Sequence, residues 1–318
     1  MMLPVAMAVL SACSGNSSGP SASGPSTGPS PTASGVPQAV RVVDRIRVGG
    51  RPDGIATGGG SVWVADFDGN TVTRIDDGSG RVQARVRVGQ QPIWIALGAG
   101  AAWVTNFGSG SLSRIDLRSN RTVATVPLGP NAEGVAILGG DVWATSNLTS
   151  TLYRIDPATN RVVKKIVLGG DPRYVTSAFG SLWVADDSRS IVLRVDPAAG
   201  RVLARIRTGD GSIHPAAAGD ELWVTNYQDG TATRIDPKTN RVLGSVTTGG
   251  GADGALFDSG AMWVVNDEDY SLTRVDPTTG RVVASTQVGP EPRNIVRAGG
   301  TLWLNLAGEG KVLRLLPV

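Results

Sequence analysis

The chain has 318 residues, 41% hydrophobic and 18% charged, a globular balance long enough for one large or two ordinary domains. Its 43 Gly and 19 Pro call for many short elements and turns, which excludes an architecture of long helices and favours an all-β one. The 30 basic and 27 acidic residues leave a net charge of +3 with no basic tract, which argues against a nucleic-acid partner.

A single cysteine, Cys13, rules out an intramolecular disulfide and a cysteine-based zinc cluster. It follows the apolar run Leu3 to Leu10 and closes the tetrad Leu10-Ser11-Ala12-Cys13. That tetrad resembles the lipobox of bacterial lipoproteins, where the signal peptide is cleaved and the new N-terminal Cys is lipidated. The run is too short to span a bilayer, although no Lys or Arg precedes it as in most secretory signals. Residues 1–13 are read as a lipoprotein signal peptide with Cys13 as the lipidation site, the alternative being an ordinary free Cys. Residues 14–38 are almost entirely Ser, Gly, Pro, Thr, Ala and Asn, which cannot bury enough apolar surface to offset their ordering entropy, and they read as a disordered tether. The expected location is extracytoplasmic, on the outer face of a bacterial cell membrane, with the lipid as the only membrane contact.

From Arg41 onward the sequence repeats. Tryptophans stand at 63, 103, 143, 183, 223, 263 and 303, every interval being 40 residues. Arg74-Ile75-Asp76 recurs at 114, 154, 194, 234 and 274, with Val for Ile at 195 and 275, and Arg314 ends the series without its Asp. Four short strands per period are predicted from alternation and β-branched content; in the second unit they run near 94–97, 101–105, 111–116 and 122–128. Turns such as Asp156-Pro157-Ala158-Thr159-Asn160-Arg161 join the third and fourth strands: Pro presets φ, Asn accepts the left-handed conformation, and the Asp takes turn N–H groups.

A four-stranded unit of 40 residues is a propeller blade, and seven ladder Trp mean seven blades. The last unit stops before a fourth strand, while residues 41–48 are a spare fourth strand one period early. That strand is expected to complete the last blade and remove an open sheet edge. The propeller is assigned to residues 39–318. The Trp rings are expected to pack between sheets, and the Arg of each Arg-Ile-Asp step to pair with acidic neighbours.

The steps Ser181-Leu182-Trp183-Val184-Ala185-Asp186, Trp223-Val224-Thr225-Asn226 and Thr233-Arg234-Ile235-Asp236-Pro237 resemble YVTN-repeat and NHL-like propellers, including the streptogramin lyase-like group. The resemblance covers residues 41–318 and implies the fold; this fold hosts enzymes, sensor domains and plain binding modules. In the virginiamycin B lyase family it implies His and Glu in the loops leading into innermost strands, with a divalent metal. Where that family has Glu-Pro-His, this chain reads Glu291-Pro292-Arg293, and its one His, His214, lies one position off the aligned slot. The lyase activity is not carried over.

Function is expected where the repeat breaks. The slots opening the innermost strands read Asp53, Ile93, Glu133, Arg173, Ile213, Asp253 and Arg293, followed by Gly54, Trp94, Gly134, Tyr174, His214, Gly254 and Asn294. Asp53, Trp94, Glu133, Arg173, Tyr174, His214, Asp253, Arg293 and Asn294 are therefore candidate ligand-binding residues around one channel mouth. Trp94 and Tyr174 would offer flat faces to a sugar or apolar group, and the arginines would grip an anion. The alternative is that these charges neutralise one another around a water-filled channel. Loops after the second strands border the same face, among them Asp186-Asp187, Tyr227-Gln228-Asp229 and Asp267-Glu268-Asp269-Tyr270. Asp66, Asp68 and Asn70 place oxygens at alternate positions like a fragment of a calcium loop, a candidate site for Ca²⁺ or Mg²⁺, although no cofactor is required.

The expectation is a monomeric binding module for a polar small molecule, a glycan or a protein. The alternative is a metal-assisted lyase or hydrolase using His214 with Glu133 or Glu291.

Overall fold

The computed structural model describes residues 37–318; the segment read as a signal peptide, the candidate lipidation site Cys13 and residues 14–36 of the expected tether lie outside them. Among the described residues there are seven antiparallel four-stranded sheets and a single 3₁₀ turn. Each blade runs from an inner strand outward, the second unit being Pro92–Gly98, Ala101–Asn106, Ser111–Asp116 and Arg121–Pro127, within a few residues of the boundaries read from alternation. Every inner strand packs against the inner strands of both neighbours, so the blades form a closed ring around a channel.

Val40–Arg47 pairs antiparallel with Lys311–Pro317 and completes the sheet that also holds Pro292–Ala298 and Thr301–Leu306. The ring closes as predicted, and neither terminal strand leaves its inner ladder unpaired.

The seven Trp are fully buried, each amid the apolar side chains of an inter-blade core. Above each ring lies the Arg of its own blade, from 4.9 Å at Arg74 over Trp63 to 5.9 Å at Arg154 over Trp143. Those arginines correct the expectation of acidic partners. Arg74, Arg114 and Arg194 donate to the main-chain oxygens of Leu117, Pro157 and Pro237, and to Asn120, Asn160 and Asn240, at 2.6–3.0 Å. Each of these three guanidiniums thus clamps the outer turn of the next blade. Only Arg154 with Asp141 and Arg234 with Glu221, both at 2.7 Å, pair with acids as expected.

The turn aspartates act as scaffold. Asp156 accepts from the Ala158 N–H at 2.8 Å and the Thr159 hydroxyl at 2.9 Å, and these bonds hold its carboxyl below the usual range. The closing Asn160 has φ +55°, the left-handed conformation its turn requires.

Candidate functional site at one mouth of the channel

Each inner strand begins with a register irregularity, as between Pro52 and Ile55, Ala132 and Val135, or Ala252 and Ala255. A bulge of this kind re-aims one side chain without ending the ladder. It falls on the slots where the repeat breaks, so the seven varied side chains enter at one level of the ring.

A second device holds four of them. The carbonyl oxygens of Arg173 and Asp253 accept from the hydroxyls of Thr145 and Thr225 at 2.6 Å, that of Glu133 from Thr105, and that of Asp53 from the Asn305 amide. Each donor sits on the second strand of the preceding blade. Where the slot holds Ile93 or Ile213 the donor position is Ala65 or Ala185, and before Arg293 it is Val265. Four of the five charged slots are therefore anchored across a blade boundary, and the two apolar slots are not.

Glycine sets the spacing. A Cβ on Gly54 would come within 2.4 Å of the Ile93 carbonyl oxygen, and one on Gly254 within 2.4 Å of the Arg293 carbonyl oxygen. These bare positions let neighbouring inner strands approach and leave room for the large side chains of the next blade.

The result is a cavity of about 250 Å³ lined by Arg51, Asp53, Ile93, Glu133, Arg173, Tyr174, Asp187, Gly211, Ile213, Tyr227, Gln228, Asp253 and Arg293. Arg173 donates to Glu133 at 3.0 Å and Asp187 at 2.9 Å, and its Nε, without a hydrogen-bond partner, lies 3.5 Å from Asp171. Arg293 pairs with Asp267 at 2.9 Å and lies 3.7 Å from both Asp253 and Glu291. Tyr227 donates its hydroxyl to Asp267 at 2.8 Å. Among the described residues Arg51 is in no ion pair and lies over the Phe67 ring at 4.8 Å.

Burial governs the electrostatics. It pushes the carboxyls of Asp53 to about 6, Glu133 to about 7 and Asp253 to about 8, against the opposing pull of Arg293 or Arg173. It raises the Tyr174 phenol as well, reinforced by Asp53, Asp253 and Glu133. The arginines resist burial because Glu133 and Asp171 on one side, and Asp253 and Asp267 on the other, hold their charge.

Six of the nine candidate ligand-binding residues line the cavity: Asp53, Glu133, Arg173, Tyr174, Asp253 and Arg293. Trp94, His214 and Asn294 do not. Trp94 stacks on Tyr174 with centroids 3.9 Å apart, so the two rings meet each other instead of presenting two free faces. His214 abuts both edge-on, at 5.1 and 5.8 Å. Its Nδ1 accepts from the Ala255 N–H at 3.2 Å, which puts the neutral ring's proton on Nε2, and burial lowers its pKa to about 4. Asn294 is buried and donates to the Asp53 carbonyl oxygen at 3.3 Å.

The pairing of His214 with Glu133 or Glu291 that the enzyme alternative required is not made. Glu133 spends its oxygens on Arg173 and on Asn147 at 2.8 Å, and Glu291 is half exposed beside Arg293. The calcium-loop reading is corrected too. Asp66 accepts the N–H groups of Gly50, Arg51 and Gly69 at 3.0–3.1 Å, and Asn70 accepts that of Gln91 at 2.8 Å, so their oxygens tie loops together. Among the described residues no group of three or more His, Cys, Asp or Glu could hold a metal ion, so the divalent metal of the resembling lyases does not fit here.

Arg51, Asp187, Tyr227 and Asp267 were not among the site candidates. Their signal lay in the varied loops after the second strands, and in Arg51 preceding an inner strand as Asp171 and Glu291 do.

Fold and site together define a closed seven-bladed β-propeller with a charged cavity at one channel mouth. Solved structures with this fold include a streptogramin B lyase, at TM-score 0.77 and 16% identity over 88% of this chain and 98% of that one. A hydrazine synthase chain from Kuenenia stuttgartiensis gives 0.75 and 17% over 85% and 96%. A catalytically inactive virginiamycin B lyase from Staphylococcus aureus with quinupristin gives 0.72 and 16% over 84% and 95%. These likenesses establish the fold. A family model described as outer membrane protein assembly factor BamB matches residues 188–314. No protein of curated function matches in sequence.

Proposed function

We propose that this chain is a binding module, held at the outer face of a bacterial membrane through Cys13, that takes a small polar molecule in the channel-mouth cavity. The observation that carries the reading is the coincidence of three features at one level of the ring: charged slots that break the repeat, the bulges that aim them inward, and the carbonyl anchors that hold four of the five. Mutual neutralisation alone would not need such positioning. The cavity is smaller than the roughly 300–1,000 Å³ of drug-sized sites, so the ligand is compact or enters by one end.

The test is a thermal-shift and calorimetric screen of the full chain against sugars, acidic metabolites and amines, since a ligand of the native state raises Tm by mass action. The expected result is a ligand whose stabilisation disappears in Arg51→Ala or Asp253→Asn while both variants remain folded. A stabilising ligand indifferent to both substitutions would remove the cavity from the account. Steady turnover of the bound ligand would favour the lyase or hydrolase alternative.

A further inference from the structure

Resting on the cavity reading, we infer that the ligand is a small organic ammonium ion, its charged nitrogen seated between Asp53 and Asp253.

Asp253 is 2% exposed, lines the cavity, and has an Oδ1 with no hydrogen-bond partner. Its nearest cation, the Arg293 guanidinium, is 3.7 Å away, beyond hydrogen-bond reach, because that Nη1 is turned to Asp267 at 2.9 Å. Asp53, 5% exposed, lines the same cavity, and among the described residues it is in no ion pair. Such groups are ordinarily satisfied, and a buried acceptor without a donor is costly. Glu133, the third buried acid, contrasts with these two because Arg173 and Asn147 saturate it.

What the Asp253 Oδ1 lacks is a donor, and a cationic donor suits a carboxyl that also faces a second acid, Asp53. The cavity walls carry four carboxylates, Asp53, Glu133, Asp187 and Asp253, against three guanidiniums, Arg51, Arg173 and Arg293. An ammonium group brings one positive charge and up to three N–H donors, which suits the Asp253 Oδ1 together with a second acceptor of the cavity wall such as Asp53. Tyr174 lines the same cavity and adds an aromatic ring beside such a cation. A divalent metal is a poorer fit, since no group of three or more acids or His among the described residues converges closely enough to ligate one. The burial that lifts both carboxyls makes binding proton-linked: a cation that recharges them displaces their protons.

The experiment titrates the full chain at pH 7 with n-butylamine, putrescine and choline, against n-butanol and acetate as neutral and anionic controls, by calorimetry in two buffers of different ionisation enthalpy. Binding of an amine with proton release, weakened about tenfold or more in Asp253→Asn and in Asp53→Asn, is the expected result. Equal binding of butanol, or amine binding unchanged in both variants, overturns the inference. If only neutral or anionic molecules bind and Arg51→Ala or Asp253→Asn abolishes that binding, the cavity stands as the site and the cation inference falls. If nothing binds in a way either substitution alters, both fall. Circular dichroism of each variant separates loss of binding from loss of fold.

Discussion

Trp94 and Tyr174 stack at a centroid distance of 3.9 Å and an interplanar angle of 24°, although a whole blade separates them in the ring. The blade between contributes Gly134 at the matching position. A Cβ there would run into the backbone of residues 173–175, so the close approach of the strand that carries Tyr174 depends on a residue that has none. With His214 edge-on to both, the rings form an aromatic floor beneath the charged cavity.

Gly134→Ala should therefore be costly. Its Cβ would stand 2.8 Å from the Val175 nitrogen and 2.9 Å from Tyr174 Cα, both backbone atoms that cannot swing aside. A loss of about 1–3 kcal/mol in denaturant unfolding is expected. An unchanged midpoint would contradict the close approach of the two inner strands.

Thr145 bridges two blades, its hydroxyl donating to the Arg173 carbonyl at 2.6 Å and accepting from the Gly134 N–H at 2.8 Å. Thr145→Val keeps the shape and strands both partners, which should cost about 1–3 kcal/mol. An unchanged stability in Thr145→Val would mean that the carbonyl anchors do not hold the ring.

Stability should fall as pH rises from about 6.5 to 8. Asp53, Glu133 and Asp253 have ordinary values of 3.8, 4.5 and 3.8, raised in the fold to about 6, 7 and 8. Between each pair of values the native state holds a proton that the unfolded chain has released, so their stabilisation is present at low pH and lost on the way up. His214 runs the other way, from 6.5 unfolded to about 4 folded, and weakens the fold only as pH drops below 6.5. Above 6.5 only the acids act, Glu133 facing Arg173, Asp171 and Asp53, and Asp253 facing Arg293, Asp53 and Asp267. A Tm series over this window should decline, and Asp253→Asn should flatten it. A flat profile for the unsubstituted chain would show that these carboxyls are not desolvated.

Arg194 and Asn240 join the fourth and fifth blades at 3.0 Å, while Arg194 also lies 5.2 Å from the Trp183 centroid. A double-mutant cycle with Arg194→Ala and Asn240→Ala should give a coupling of about 0.5–3 kcal/mol. Additive effects would show that the clamp works through the Pro237 carbonyl alone.

The blade count, the ring closure and the level of the site could be read from Trp spacing and from the slots that vary, because packing demands sameness and a site demands difference. Partners could not. Asp187 reaches Arg173 from a loop 14 residues further on, and Asp267 reaches Arg293 from the preceding blade, distances set by the tilt of sheets. The outer arginines bind main-chain carbonyls, which no side-chain pattern announces. Asp66 and Asn70 misled for a related reason, since oxygens spaced to ligate an ion are also spaced to accept backbone N–H groups.

The Val318 N–H donates to the Ala39 carbonyl oxygen at 3.1 Å, so the strand that opens the ring and the strand that ends it finish side by side. Within the propeller, Ala39 and Val318 are one short linker away from closing the backbone into a covalent circle. With seven blades cut to the same length, packing then gives no reason to prefer one break point over another. A backbone joined between Val318 and Ala39, and reopened in the turn between any other two blades, would retain every sheet ladder and the whole channel mouth. In this fold the order of the blades along the gene is a historical matter, while their order around the axis is the physical one.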